Sequence, residues 1–280
     1  MASTITIRRQ IRSITSTKKV TKAMELVAAS KMRKSVVAAL ASRPYVMAAE
    51  SALQKLVVQG GLGDTHPLLV QRAVKKIAVI AIGSNRGLCG GFNTVLATQT
   101  FRFLQERYPG IAVEYLTLGR RLRDTLARQG GVIAADFIKQ DVTRSAADIL
   151  PVVRAVLDGY TDGKYDAVVL CHTEYVSAMK QVPVVKLLVP CVPEMSAGSE
   201  VKGTASNFLF EPSPEQVLTQ LVPRLLEAQI FQAVLESEAS EHSARMVAMR
   251  SATDAAKDLL MDLNLSFNRI RQSAITQEIA

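Results

Sequence analysis

From Arg224 to Ala280 the chain contains neither glycine nor proline. An unbroken helix over those positions would reach roughly 85 Å at 1.5 Å per residue, several times the width of a small domain. Its apolar residues keep helical spacing throughout, from Leu225, Leu226, Ile230 and Val234 through Met246, Met249, Ala256, Leu260 and Leu263 to Phe267, Ile270 and Ala274. One apolar stripe on so long a helix has to be covered by another long element. The helix start is marked by Ser213 as N-cap and Pro214 at the first helical position. Pro223 allows a break or kink in its first turns.

The first sixty residues supply a partner. Ile7, Ile11, Ile14, Thr17/Lys18, Thr21, Met24/Glu25, Ala28 and Met32 recur at steps of three and four. Val36, Leu40, Met47, Leu53, Leu56 and Val57 are read as continuing the stripe. It is narrow, as in a coiled-coil seam. Pro44 interrupts it, and Gly60-Gly61-Leu62-Gly63-Asp64 ends it.

Between the two helices the period changes. Lys75–Ile82 is a near-continuous apolar run, suited to a strand buried on both faces. Ile111–Leu118, Val132–Phe137, Tyr165–His172 and Val184–Val192 are further strand candidates. Helical stretches at Phe92–Tyr108, Gly119–Gln129 and Ser145–Asp158 lie between them. Such alternation predicts a mainly parallel sheet in a Rossmann-like α/β unit. The expected fold class is therefore α/β: a long antiparallel coiled coil of N- and C-terminal helices bracketing an α/β domain. Its divisions are 1–59 for the first helix, 74–195 for the base and 213–280 for the last helix.

Charge is distributed unevenly. Residues 1–44 hold ten Lys/Arg against one acid, Glu25, which accounts for the whole net charge of +9 and leaves the remainder neutral. A basic helix of this kind fits a solvated face, nucleic acid or an acidic protein surface. No aromatics interleave its basic residues, and no nucleic-acid reading motif accompanies it. The acid-poor N-terminus has the composition of a mitochondrial transit peptide, but the apolar spacing runs straight through it. No stretch approaches the ~18 apolar residues of a membrane span. Cys89, Cys171 and Cys191 form no CxxC pair, which points to a reducing compartment and no disulfide framework.

Candidate chemistry is sparse. Ser84-Asn85-Arg86-Gly87-Leu88-Cys89-Gly90-Gly91-Phe92-Asn93 follows the first strand, where a dinucleotide fold places its phosphate loop. Its glycines run GxxGG, no Lys-Ser/Thr follows, and Leu118-Gly119-Arg120 stands where the ribose-binding acid belongs. Tight packing of a strand–helix turn is the better account. Cys89 has no placeable His or Asp partner and reads as a small packing residue. His66, His172 and His242 are scattered and make no metal site. No catalytic constellation, metal site or cofactor site is expected.

Three segments together resemble the gamma subunit of F-type ATP synthases, the central rotor shaft. They are Ile7–Ile14 with Thr17–Lys31, the SNRGLCGGFN loop at Ser84–Asn93, and Ala239–Met246 through Asp254 with Asn268–Glu278. The resemblance implies a non-catalytic rotary subunit whose two helices form an antiparallel coiled coil inside a ring of three alpha and three beta subunits. It also implies an α/β base standing on the membrane rotor ring of c subunits and binding epsilon. The implied location is peripheral, on the cytoplasmic face of a bacterial inner membrane, with neither nucleic acid nor membrane insertion involved. By the same resemblance, Lys22, Met24, Lys31, Arg33 and Lys34 face the acidic lever of beta. Arg245, Arg271, Gln272, Thr276 and Glu278 contact the catalytic subunits from the last helix. Asn207, Phe208, Phe210 and Glu211 belong to the foot that meets the ring and epsilon. Relatives usually run a few turns past the Ile-Thr-Gln-Glu motif, so the upper tip of the shaft is expected to be missing at Ala280. The region after Pro193 lacks the cysteine-bearing insertion of chloroplast relatives, so thiol regulation of that kind is not expected.

Overall fold

Two helices of very unequal surroundings dominate the molecule: α1 spans Thr4–Gly60 and α5 spans Pro214–Ile279. The computed structural model describes residues 4–60, 66–143, 145–191, 211 and 213–279. The two helices run antiparallel. The Arg8 guanidinium stacks 5.5 Å from the centre of the Phe267 ring, Thr253 Oγ1 donates to Thr21 Oγ1 at 2.8 Å, and Gln232 Nε2 donates to the Ala39 carbonyl at 3.1 Å. Gln229 Nε2 and Glu50 Oε1 meet at 2.6 Å near the other end of the pair.

The seam on α1 is a strict alternation of four and three. Ile7, Ile11, Ile14, Lys18, Thr21, Glu25, Ala28, Met32, Ser35, Ala39, Ser42, Val46, Ala49, Leu53 and Leu56 are its buried or half-buried positions. This corrects the sequence reading beyond Met32. Leu40 and Met47 stand 53% and 62% exposed, while Ser35 and Ala39 are almost fully covered. Small residues occupy the seam there because they let the two backbones approach closely where α5 is also enclosed by the base. A period of 3.5 holds the seam on the partner, whereas following the larger apolar residues carries it off that face.

Neither internal proline breaks its helix; α1 continues through Pro44 and α5 through Pro223. A helix-interior proline costs ~3 kcal/mol. Leu218, Val222, Leu225 and Leu226, all at most 2% exposed, flank Pro223. Burying each such side chain contributes about 1.5–3 kcal/mol, so packing outweighs the lost hydrogen bond.

The base is a five-stranded sheet in the order β3-β2-β1-β4-β5. Its strands are β1 Lys76–Ile82, β2 Ala112–Leu118, β3 Val132–Phe137, β4 Ala167–Tyr175 and β5 Gln181–Val189. The first four are mutually parallel, and β5 returns antiparallel along β4. Helices α2 (Phe92–Arg107) and α3 (Arg120–Arg128) cover one face, over Ile77, Val79, Ala81, Val169 and Cys171. On the other face Ala78, Ile80, Ile82, Val168 and Leu170 pack with α4 (Leu150–Thr161), the last turns of α1 and the first half of α5. The sheet is thus covered on both faces, as its continuous apolar strands require.

Candidate functional site

Along α5 every residue from Gln232 to Ser243 is buried, although eight of those twelve are polar or charged. A helix that is polar on all sides and still buried has to be enclosed by polar partners. The enclosure is built from the loops at the C-terminal ends of the parallel strands, with α1 closing the remaining side.

Beginning at the end of β1, Ser237 Oγ donates to the Ile82 carbonyl at 3.1 Å. The segment after β3 wraps the helix. Lys139 Nζ lies 2.7 Å from Glu241 Oε2 and donates to the Gly83 carbonyl at 2.8 Å. Thr143 donates through both its backbone N–H and its hydroxyl to Glu238. His242 Nε2 stands 3.1 Å from the Asp141 carbonyl. From β4 and the following turn, the Thr173 carbonyl accepts from Ser240 at 3.1 Å and the Ala178 carbonyl accepts from Ser243 at 2.7 Å. Arg245 Nη2 pairs with Glu241 at 2.9 Å and reaches the Arg86 carbonyl at 3.3 Å, while its Nε reaches the Gly87 carbonyl at 3.4 Å. On the α1 side Arg43 pairs with Glu236 at 2.9 Å, and Gln232 bonds to Ser42, Ala39 and Glu236.

The electrostatics follow from this enclosure. Burial pushes the Glu236 carboxyl up, but His172, 3.7 Å away, and hydrogen bonds from Gln232 and Arg43 outweigh it and hold the group at about 2. Glu241 is likewise penalised by burial yet held below its ordinary value by Lys139 and Arg245. Glu238 goes the other way: burial raises it, and Lys139 and Thr143 only partly offset that. Asp141 is lowered chiefly by its hydrogen bond from Lys31, at 3.0 Å, with Arg86 adding to the effect. Burial pushes the Cys171 and Cys191 thiols up to about 12, which leaves both unreactive at neutral pH.

The glycine loop after β1 is packed shut. Asn93 Oδ1 accepts the Ser84 N–H at 3.0 Å, and Asn93 Nδ2 donates to Ser84 Oγ at 2.7 Å. The amide that would face a phosphate is therefore satisfied from within. A Cβ on Gly119, where φ is +119°, would stand 2.6 Å from the Gly83 carbonyl oxygen. Only glycine permits that approach between the ends of β1 and β2. Cys89 is buried beside Ser84 and Asn93, as a packing residue. Among the described residues no His, Cys, Asp and Glu group is arranged to hold a metal ion, and no helix is long and apolar enough to cross a membrane.

The residues singled out in the sequence fall into three places. Lys31 and Arg245 lie at the enclosure, bound to Asp141 and to Glu241 with the Arg86–Gly87 turn. Lys22, Met24, Arg33 and Lys34 are on exposed surface of α1, with Lys22 also paired to Glu25 at 3.0 Å. Arg271, Gln272 and Thr276 are exposed on the last turns of α5, where Thr276 Oγ1 bonds to the Gln272 carbonyl. Glu278 lies in the same helix. Asn207, Phe208 and Phe210 are outside the described residues, and Glu211 is exposed ahead of α5. Sequence reasoning missed Lys139, Thr143, Glu236, Glu238 and Glu241. Their signal was the run Glu236–Ser243, which leaves α5 with no apolar face for two turns.

A protein-family model described as ATP synthase matches residues 3–280. The ATP synthase gamma chain of Pelotomaculum thermopropionicum is 40% identical over 280 residues, covering all of this chain and 96% of the relative. That of Legionella pneumophila is 37% identical, covering all of this chain and 97% of the relative. Among solved structures, a chain of the Euglena gracilis mitochondrial ATP synthase (OSCP/F1/c-ring) superposes with a TM-score of 0.66 at 18% identity, covering 99% of this chain and 91% of that one. A chain of the Tetrahymena thermophila mitochondrial ATP synthase central stalk/c-ring gives 0.62 at 22%, covering 83% and 99%. These two likenesses speak to the fold, and the relatives of about 40% identity speak to the family. With a base gripping one end of an antiparallel helix pair, and full-length relatives of this kind, the chain belongs to the ATP synthase gamma-chain family.

Proposed function

We propose that this chain is the central rotor shaft of an F-type, H⁺-transporting ATP synthase and performs no bond chemistry itself. The observation that carries the reading is the continuity of α5. One helix packs on the sheet of the base, passes through the polar enclosure and runs on as half of the projecting coiled coil. Such an element transmits rotation and has no need of a reactive group. Each charge crossing 100 mV supplies ~2.3 kcal/mol, so several are pooled for one ATP, and pooling requires a stiff mechanical link. Two packed helices supply that stiffness where a lone helix frays.

In this reading residues 1–59 and 213–280 are the shaft and residues 74–195 the base. The shaft turns within three alpha and three beta subunits, and the base rests on the c-subunit ring and holds epsilon. Lys22, Met24, Arg33 and Lys34, together with Arg271, Gln272, Thr276 and Glu278, meet the catalytic ring. Lys22 and Arg33 are eleven residues apart, about three helical turns, and so share one basic face toward an acidic partner. Lys31 and Arg245 reach that ring only by giving up their partners in the base. Asn207, Phe208, Phe210 and Glu211 form the foot. The chain sits peripherally at the cytoplasmic face of a bacterial membrane, through the complex.

The test is co-expression with cognate alpha and beta subunits, followed by sizing and ATPase assay with and without this chain. A larger complex whose steady hydrolysis depends on the chain supports the reading. Absence of association, or association without effect on hydrolysis, overturns it.

A further inference from the structure

We infer that the enclosure around residues 232–245 is a keyed joint that transmits torque between base and shaft, with Ser237, Glu238, Ser240, Glu241 and Ser243 as the keys. The inference rests on the rotor reading above and assigns positioning residues that reading does not name.

At about 100° per residue, Ser237, Glu238, Ser240, Glu241, His242 and Ser243 point over roughly 260° of the helix circumference, and each meets a base group. Ala239, fully buried, faces the remaining arc, and α1 meets the preceding turn at Gln232 and Glu236. Apolar contact is non-directional and resists sliding or rotation of a helix about its own axis only weakly. Hydrogen bonds weaken steeply as their angle falls below ~120°, so twisting this helix in its socket strains bonds on nearly all sides at once. The partners come from the rims of β1, β3 and β4 together, so the load reaches the whole sheet and no single loop bears it alone.

Ordinary core packing would not call for this chemistry. The lower half of α5 is held against the same sheet by Leu218, Val222, Leu225, Leu226 and Ile230, with no polar key among them. Polar residues replace them only where the helix leaves the base. There the lever arm begins, and rotation relative to the base would otherwise be least opposed.

The test uses the full chain assembled with its alpha, beta, epsilon and membrane-ring partners. Ser237→Ala, Ser240→Ala and Ser243→Ala are combined, which removes three directional bonds while keeping volume and improving helix propensity. Three readouts are taken: ATP hydrolysis by the soluble complex, ATP-driven proton pumping in vesicles, and the angular spread of a bead on the base with the ring anchored and stalled. Hydrolysis should stay within about twofold of the parent, angular variance should rise by about twofold or more, and protons pumped per ATP should fall with it. A merely structural role would lower assembly and both activities together. Unchanged variance and unchanged pumping per ATP would overturn the joint. If the triple variant does not assemble, Ser240→Ala alone carries the same test in proportion. A parent chain that fails to assemble with alpha and beta refutes the rotor reading, whereas a pumping parent matched by its variants refutes the joint alone.

Discussion

Lys139 on the base and Glu241 on the shaft form an ion pair at 2.7 Å, with side chains 2% and 9% exposed. A pair so enclosed is costly to halve and cheap to replace whole, because a lone buried charge loses its solvation without compensation. Lys139→Met should therefore destabilise the chain by about 3–5 kcal/mol. Combining it with Glu241→Gln should recover only part of that, since the under-compensated carboxylate is gone but Arg245, 13% exposed, loses its 2.9 Å partner. Urea unfolding of the two variants decides it; equal losses would mean that the pair is not coupled.

Glu236 and Glu238 should move stability in opposite directions with pH. The folded value of Glu236 is about 2 against an ordinary 4.5. Its contribution is thus present above 4.5 and lost as pH falls toward 2, on the order of 3 kcal/mol at ~1.4 kcal/mol per unit. Glu236→Gln should flatten the acid limb of the stability curve. Glu238 is raised, so its contribution is present below 4.5 and lost as pH rises through its folded value. Glu238→Gln keeps an acceptor for Thr143 and should leave the chain more stable than the parent at neutral pH. Melting temperatures from pH 3 to 8 test both signs.

Exposed basic residues should separate from the engaged one. Replacing Lys22, Arg33 and Lys34 by Ala should change stability by no more than about 0.5 kcal/mol, since all three are on exposed surface. Pumping coupled to hydrolysis should nevertheless weaken in the assembled complex. Lys31→Ala removes the 3.0 Å partner of Asp141 and should let that carboxyl titrate closer to its ordinary value. Carboxyl titration by NMR and coupled pumping in vesicles distinguish the two groups; a null result for the triple variant removes those residues from the contact face.

Gly119→Ala is expected to cost more than an ordinary glycine substitution. The new Cβ would stand 2.6 Å from the Gly83 carbonyl oxygen, at a φ of +119° that L residues rarely adopt. The ends of β1 and β2 would have to part, disturbing Gly83, whose carbonyl accepts from Lys139. A loss of about 3 kcal/mol or more in urea unfolding, with weakened base–shaft coupling, is the expected result.

Local rules account for the long helices and the strands. The absence of glycine and proline after Arg224, the Ser213-Pro214 start and the apolar run at Lys76–Ile82 each carry their own signal within a few residues. Periodicity likewise placed the upper seam from Ile7 to Met32. The same rule misled at Leu40 and Met47, because size and apolarity do not reveal where a partner backbone comes close enough to demand Ser35, Ala39 and Ser42. At Pro223, where local rules allow a break or kink, the helix continues, because the local cost of proline is outweighed by apolar burial that only the folded sheet provides.

The sequence by itself determined the two shaft helices, the alternating base between them and the concentration of charge on the first forty-four residues, because each is written in short-range spacing or composition. The tertiary structure alone decided what the polar run Glu236–Ser243 is for. Its partners Lys139, Thr143, Thr173 and Ala178 lie some sixty to a hundred residues away in the chain. Hydrogen bonds to them exist only once the ends of three strands have been brought around the helix. A polar segment in isolation reads as solvated surface; enclosed on every side, it becomes the place where base and shaft are held to one orientation.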